Sequence, residues 1–442
     1  MSTRLGLLAV AGLAAGFPAA ARADEAALLE KIEQLETRIH DLEANQTPPV
    51  DSNGAADWTR LLRLGGSVNT GYYGGQSHSL FDPGSFQIWD ARVFLDAHLG
   101  EDVRMGETPI VRDIGMTFEW DLVRLGELEN RVGELYVDFQ GLGEQDWANF
   151  QFGRFQIPVG EAYLRYSSGF SNNPFVSNPV GGPWWWDEGI RSYGKLAGRW
   201  LSYVASFSDG DTPFNTESSG ANQFTLKLIT EPFPWLRLSA SGLRSGRTGS
   251  DSSTASGALW LGETWARSIG ASTTVPTFQE GVAVADGPNQ LDSTWFAGTD
   301  AIFDFEDRAR LWLAYGRYEM NAHGISSFDR TLHYWIAELL LRGAWVMPAL
   351  RPFYVGVRAN ALGTYDDERG YVLDMRRNGS LGYNMESLTA YSAVFGWELT
   401  RSVRLRAEYT HQRIELVEGV SKAIRDEAKR PDYFAIEVGA AF

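Results

Sequence analysis

The chain has 442 residues, a formal net charge of −17, 13% aromatic residues, 47 glycines and no cysteine. Without cysteine it has no disulfides, thiolate metal sites or cysteine nucleophiles. The acidic balance excludes a nucleic-acid partner, whose phosphates need a basic footprint.

Arg4, the apolar run Leu5–Phe17 and Ala21-Arg22-Ala23 read as the charged, apolar and cleavage regions of a secretory signal over residues 1–23. That run is too short to cross a bilayer as a helix, and no later stretch reaches about eighteen consecutive apolar residues. Next, Leu28, Ile32, Leu35, Ile39 and Leu42 are spaced four, three, four and three apart, the seam of a short coiled coil over residues 24–45. Fewer than three heptads are marginal alone in water, so the seam predicts self-association that follows the symmetry of the body it is attached to. Residues 46–59, with Pro48-Pro49 and Gly54, form a polar linker.

From residue 60 to 442 the chain alternates at a period of two. In Ser402–Leu416, Val403, Leu405, Ala407 and Tyr409 take one parity while Arg404, Arg406, Glu408 and Thr410 take the other. The last segment is as regular: Phe434, Ile436, Val438, Ala440 and Phe442 oppose Ala435, Glu437, Gly439 and Ala441. Such strands have one apolar face. Their connections alternate between short ones, such as Ala197-Gly198-Arg199 and Thr400-Arg401-Ser402, and long polar ones, such as Gly160–Glu188, Gly246–Asp292 and Tyr365–Ser387. Tight turns at one end and long loops at the other are the pattern of an antiparallel transmembrane β-barrel in an outer membrane, here all-β with about sixteen strands. Leu259-Trp260-Leu261 and Ile269–Val275 leave open an extra hairpin and a count of about eighteen.

Charges facing lipid near the midplane cost about 2–4 kcal/mol each, so the charged parity faces the lumen. It carries Arg92, Arg237, Arg358, Arg404 and Arg406 beside Glu119, Asp300 and Glu408. The long loop at residues 160–188 is the candidate constriction, folded into the barrel. On or beside it lie Arg154, Glu161, Arg165, Asp187, Glu188 and Arg191. Gly189–Leu196 resembles a phosphate-binding loop but has Leu196 where a magnesium-binding hydroxyl is needed. The histidines are scattered, and no G-x-S-x-G elbow exists. No catalytic, cofactor-binding or metal-binding residue is therefore assigned, and no cofactor is called for.

The signal followed by a short coiled coil, the Gly153-Arg154-Phe155…Pro158…Glu161 passage and the Arg191…Gly194…Gly198 strand together resemble the phosphate-selective porin O/P family of outer-membrane channels. The resemblance implies a sixteen-stranded trimeric barrel with its third external loop folded inward, inserted by the barrel-assembly machinery through an aromatic C-terminus, here Phe442. It also implies anion uptake along a ladder of arginines. The lumen parity of this chain holds more acids than bases, which points instead to weak or cation-leaning selectivity. The functional reading is a homotrimeric passive diffusion channel for small hydrophilic solutes or ions, surrounded by outer-membrane lipid, with its N-terminal helix in the periplasm. Two other classes stay open at this stage: a structural protein tethering the envelope through its coiled coil, and an outer-membrane hydrolase.

Overall fold

The structure is a computed structural model that describes residues 61–75, 84–124, 127–161, 173–181, 183–184, 186–198, 200–209, 222–246, 260–261, 277–279, 282–284, 291–306, 308–322, 330–364, 371–375, 379–416 and 432–442. The expected signal, coiled-coil seam and linker lie outside these residues. Residues Leu62–Phe442 form one unit.

That unit is a closed antiparallel barrel of 16 strands. In chain order they are β1 (Leu62–Gly75), β2 (Ser85–Met105), β3 (Thr108–Arg124), β4 (Glu127–Gln140), β5 (Asn149–Gln156), β6 (Trp186–Lys195), β7 (Ser202–Ser208) and β8 (Gln223–Phe233). They continue with β9 (Leu236–Ser245), β10 (Leu291–Asp304), β11 (Ala309–Ala322), β12 (Arg330–Arg342), β13 (Phe353–Gly363), β14 (Gly379–Glu398), β15 (Val403–Leu416) and β16 (Tyr433–Ala441). Each pairs with the next, and β1 closes on β16 in a register from Ser67↔Ala441 to Gly75↔Tyr433. Phe442 completes the seam: its N–H donates to the Gly66 carbonyl at 3.0 Å, and the Gly66 N–H donates to its carbonyl at 3.1 Å. Closure leaves no unpaired edge in the bilayer, where an unsatisfied backbone group is costly.

The Gly246–Asp292 connection adds no described strand to the ring, as expected of a long external loop. Trp260-Leu261 pairs with Pro183-Trp184, so the ninth-to-tenth connection meets the fifth-to-sixth, and Thr277–Gln279 pairs with Val282–Val284 in a separate hairpin. The Tyr365–Ser387 connection is shorter than expected. Strand β14 begins at Gly379, and a short strand, Tyr371–Met375, pairs with its external extension.

The outward parity is apolar and bordered by aromatic rings. Phe233, Trp235, Phe303 and Phe305 stack at the periplasmic end, with Phe233 and Trp235 centroids 5.1 Å apart. Tyr72 packs on Phe86 and Phe434 at the external end. Amphipathic rings at both interfaces are what a lipid-embedded barrel carries.

Inside, the wall is divided. On β2–β4 and β8–β9 the inward groups are polar, with Asp90, Arg92, Glu119, Asp121, Asp138, Lys227, Ser239 and Ser241 all buried. On β10–β14 they are largely apolar: Phe296, Trp312, Leu332, Tyr334, Ile336, Leu340, Tyr354 and Val394 are buried. An apolar inner wall must be covered by something other than water.

Candidate functional site

What covers it is the third external loop, residues 157–185. After β5 the chain turns inward at Gly160, whose backbone takes φ +65°, a left-handed conformation that glycine adopts without strain. The Gly160 N–H donates to Ser241 Oγ at 3.0 Å, and Lys227 Nζ donates to the Gly160 carbonyl at 2.5 Å. Next to it, Glu161 receives Lys227 at 2.7 Å and Arg237 at 3.4 Å. Burial pushes the Glu161 carboxyl up, but the two cations outweigh it and hold the group below its ordinary value. Asp300 lies in the same cluster and accepts Trp312 Nε1 at 2.9 Å.

The far part of the loop, residues 173–181, is seated on the opposite wall. Phe175 joins Leu340, Tyr354 and Val394 in one apolar cluster. Arginines hold the backbone around it. Arg406 donates to the Asn173 carbonyl at 2.9 Å and to the Phe175 carbonyl, and it ion-pairs with Glu437. Arg358 donates to the Ser177 carbonyl at 3.0 Å and to Ser177 Oγ at 2.6 Å, and its guanidinium lies over the Phe175 ring at 4.3 Å. Glu408 accepts the N–H groups of Val176 and Ser177 at 2.5 and 3.0 Å, and the Ser177 hydroxyl. The Val180 N–H donates to Asn360 Oδ1 at 2.8 Å, and Tyr354 OH donates to the Pro174 carbonyl at 2.9 Å. Backbone groups taken out of water need such partners. Gly181, at φ +85°, abuts Tyr334 so closely that a Cβ there would collide with it.

The described contacts of the loop thus fall on β8–β16. Against β1–β7 stands a polar wall. Arg92 is ringed by Asp90 at 2.9 Å, Glu119 at 3.3 Å and Asp121 at 3.6 Å. Arg191 lies over Phe155 at 4.9 Å and Tyr136 at 5.6 Å, and donates to the Gln156 carbonyl at 3.0 Å.

All eight lumen residues expected from parity point inward: Arg92, Arg237, Arg358, Arg404, Arg406, Glu119, Asp300 and Glu408 each follow the alternation of their strand. The expected constriction set is divided. Glu161 and Arg191 are inward, and Asp187 shares the parity of Arg191. Arg154 and Glu188 are a correction, because they pair directly across β5 and β6 on the outward parity of Phe152↔Ile190. Arg154 Nε donates to the Gly133 carbonyl at 3.0 Å, and its guanidinium sits 3.7 Å from Glu188. Asp187 and Glu188 also belong to β6 and not to the loop. Arg165 lies outside the described residues. The sequence reading missed the apolar seat. Its signal was β12, where Leu332, Tyr334, Ile336 and Leu340 are apolar on the lumen parity as well, a mark of a strand buried on both faces.

The outer-membrane channel DcaP of Acinetobacter baumannii superposes with a TM-score of 0.54 at 12% identity, covering 86% of this chain and 97% of that one. The fold is that of the outer-membrane porins. An anion-selective porin from Comamonas acidovorans matches with a TM-score of 0.50 at 10% identity over 86% and 99% of the two chains. The trimer form of OmpT, an outer-membrane protein of Vibrio cholerae, matches at 0.52 and 11% over 86% and 99%. No protein-family model and no curated protein matches the sequence.

Proposed function

We propose that this chain is an outer-membrane porin, a passive diffusion channel for small hydrophilic solutes or ions that works as a homotrimer without a cofactor. What supports this most is the third external loop. It enters the lumen at Glu161 and Lys227 and is fastened to the far wall at Arg358, Arg406 and Glu408. A loop fixed across a water-filled barrel narrows it without closing it, and so sets a size limit for solutes. Glu161, Asp187 and Arg191 are the charged groups of the narrowed level in this reading, with Arg154, 3% exposed, paired to Glu188 beside them in the wall. The C-terminal Phe442 is the residue the barrel-assembly machinery reads.

Selectivity is weak or favours cations. Arg358 and Arg406 spend their donors on loop carbonyls and on Glu437, and Arg92 is matched by three carboxylates. These three lumen arginines are therefore engaged in holding the structure and not in an anion ladder. The purified chain in a planar bilayer is expected to open in discrete steps that come in threes. Silence at every voltage would refute the channel and favour a structural role.

A further inference from the structure

At the external end of β9–β12 the outward parity changes from apolar to basic. On β10 the outward aromatics Phe305 and Trp295 are ten residues apart, which at about 3.3 Å per residue and a tilt of about 35–45° spans roughly 25 Å. That is the apolar height of an outer-membrane barrel, so Trp295 stands at its external boundary. Arg244 on β9 and Glu319 on β11 both pair directly with Trp295. In the next row Arg317 pairs with Ala297 on one side and with His333 on the other. His333 Nδ1 and the Tyr315 hydroxyl share a hydrogen bond of 2.8 Å.

The charge here is not balanced. On β15 the outward Arg413 is 2.6 Å from Glu415 and His411 is 2.9 Å from Asp432, one acid to each base. On β9–β12 Glu319 takes Arg317 at 2.6 Å, and among the described residues no acid pairs with Arg244, which is exposed. Directly below the two arginines the same face carries short side chains, in the pairs Gly242↔Ala297 and Ala240↔Thr299. With Leu226 on β8 and Tyr315 on β11 to either side, they make a shallow apolar trench that runs down the wall from the basic group.

We propose that this sector holds one glycolipid of the outer leaflet, with a phosphate monoester on its sugar headgroup taken by Arg244 and Arg317 and an acyl chain in the trench below. Outward side chains at this height meet lipid headgroups, and a planar guanidinium matches the oxygens of a phosphate. The amount of charge selects the headgroup. A phosphate monoester carries about −1.5 to −2, which suits two arginines of which one already has a carboxylate. A zwitterionic phospholipid brings one phosphate charge together with its own amine and leaves the sector positive. The proposal rests on the reading of the barrel as an outer-membrane channel.

The test is native mass spectrometry of the full chain, purified in detergent, stripped of lipid and titrated with bisphosphorylated lipid A. One lipid A should bind per chain, and the double variant Arg244→Gln/Arg317→Gln should bind it at least about tenfold more weakly. Arg413→Gln on β15 should bind as the parent does. Lipid A stripped of its phosphates should bind the parent no better than intact lipid A binds the double variant. Equal binding of intact lipid A by parent and double variant would overturn the proposal. So would equal retention of phosphatidylethanolamine and lipid A by the parent, because the sector would then be a general lipid face. Heat-modifiable migration shows that each variant keeps its barrel. Conductance of the same preparation in a planar bilayer tests the channel reading separately, so the two failures are distinguishable.

Discussion

Arg358 offers the sharpest perturbation of the loop anchor. Its side chain is 1% exposed, with Glu338 and Glu408 each 3.8 Å away. It gives the loop two hydrogen bonds, to the carbonyl and the hydroxyl of Ser177. Hydrogen bonds from a charged donor are worth about 1.5–3 kcal/mol each, so Arg358→Ala removes at least about 3 kcal/mol of loop docking. At about 1.4 kcal/mol per tenfold, the equilibrium for loop release rises by roughly a hundredfold. The Arg358–Glu338 contact is lost whether the loop is docked or released, so its cost falls on overall stability and not on this equilibrium. Pro179 is buried in the docked loop, and Pro179→Cys puts the chain's single thiol there. Its modification by a small water-soluble thiosulfonate should be slow in the parent and roughly a hundredfold faster with Arg358→Ala, with Arg358→Lys in between. Equal rates in all three would refute the claim that arginines fasten the loop.

Glu161 makes the loop root acid-sensitive in one direction. Its carboxyl is held below the ordinary value, so its stabilising share is complete above that value and is lost as pH falls through the lowered one. Current noise in single-channel records should therefore be flat between pH 7 and 5 and rise only below the usual carboxylate range. Glu161→Gln should show the acidic behaviour at neutral pH, and a flat record with that variant would contradict it. Deleting Phe442 removes both of its hydrogen bonds to Gly66 at the closing seam. The amount of folded barrel in outer membranes, read by heat-modifiable migration, should fall sharply, whereas Phe442→Tyr should restore it.

Much of the barrel was legible because its period of two is enforced twice, by lipid outside and by charge or packing inside. Arg404, Arg406 and Glu408 point where alternation places them, and β16 is followed at once by Phe442, the aromatic that closes the ring. What could not be read was anything depending on contacts far apart in sequence. Trp260-Leu261 has the composition of a wall strand, yet its partner is Pro183-Trp184 in another loop. Arg154 follows the glycine at φ +133° and sits beside the inward-turning loop, so proximity in sequence suggested the lumen. Its register with Leu135 and Glu188 decides otherwise. The apolar lumen half was visible as two apolar parities in β12, but its occupant, Phe175, lies far earlier in the chain.

The central claim is a diffusion channel whose arginines hold a loop and do not line an anion path. The most direct test is the reversal potential of the reconstituted chain in a potassium chloride gradient, followed by addition of phosphate. The account predicts discrete conductance with a reversal potential near zero or of the sign for cations, and chloride current unaffected by phosphate. A strong anion preference with phosphate block would contradict it.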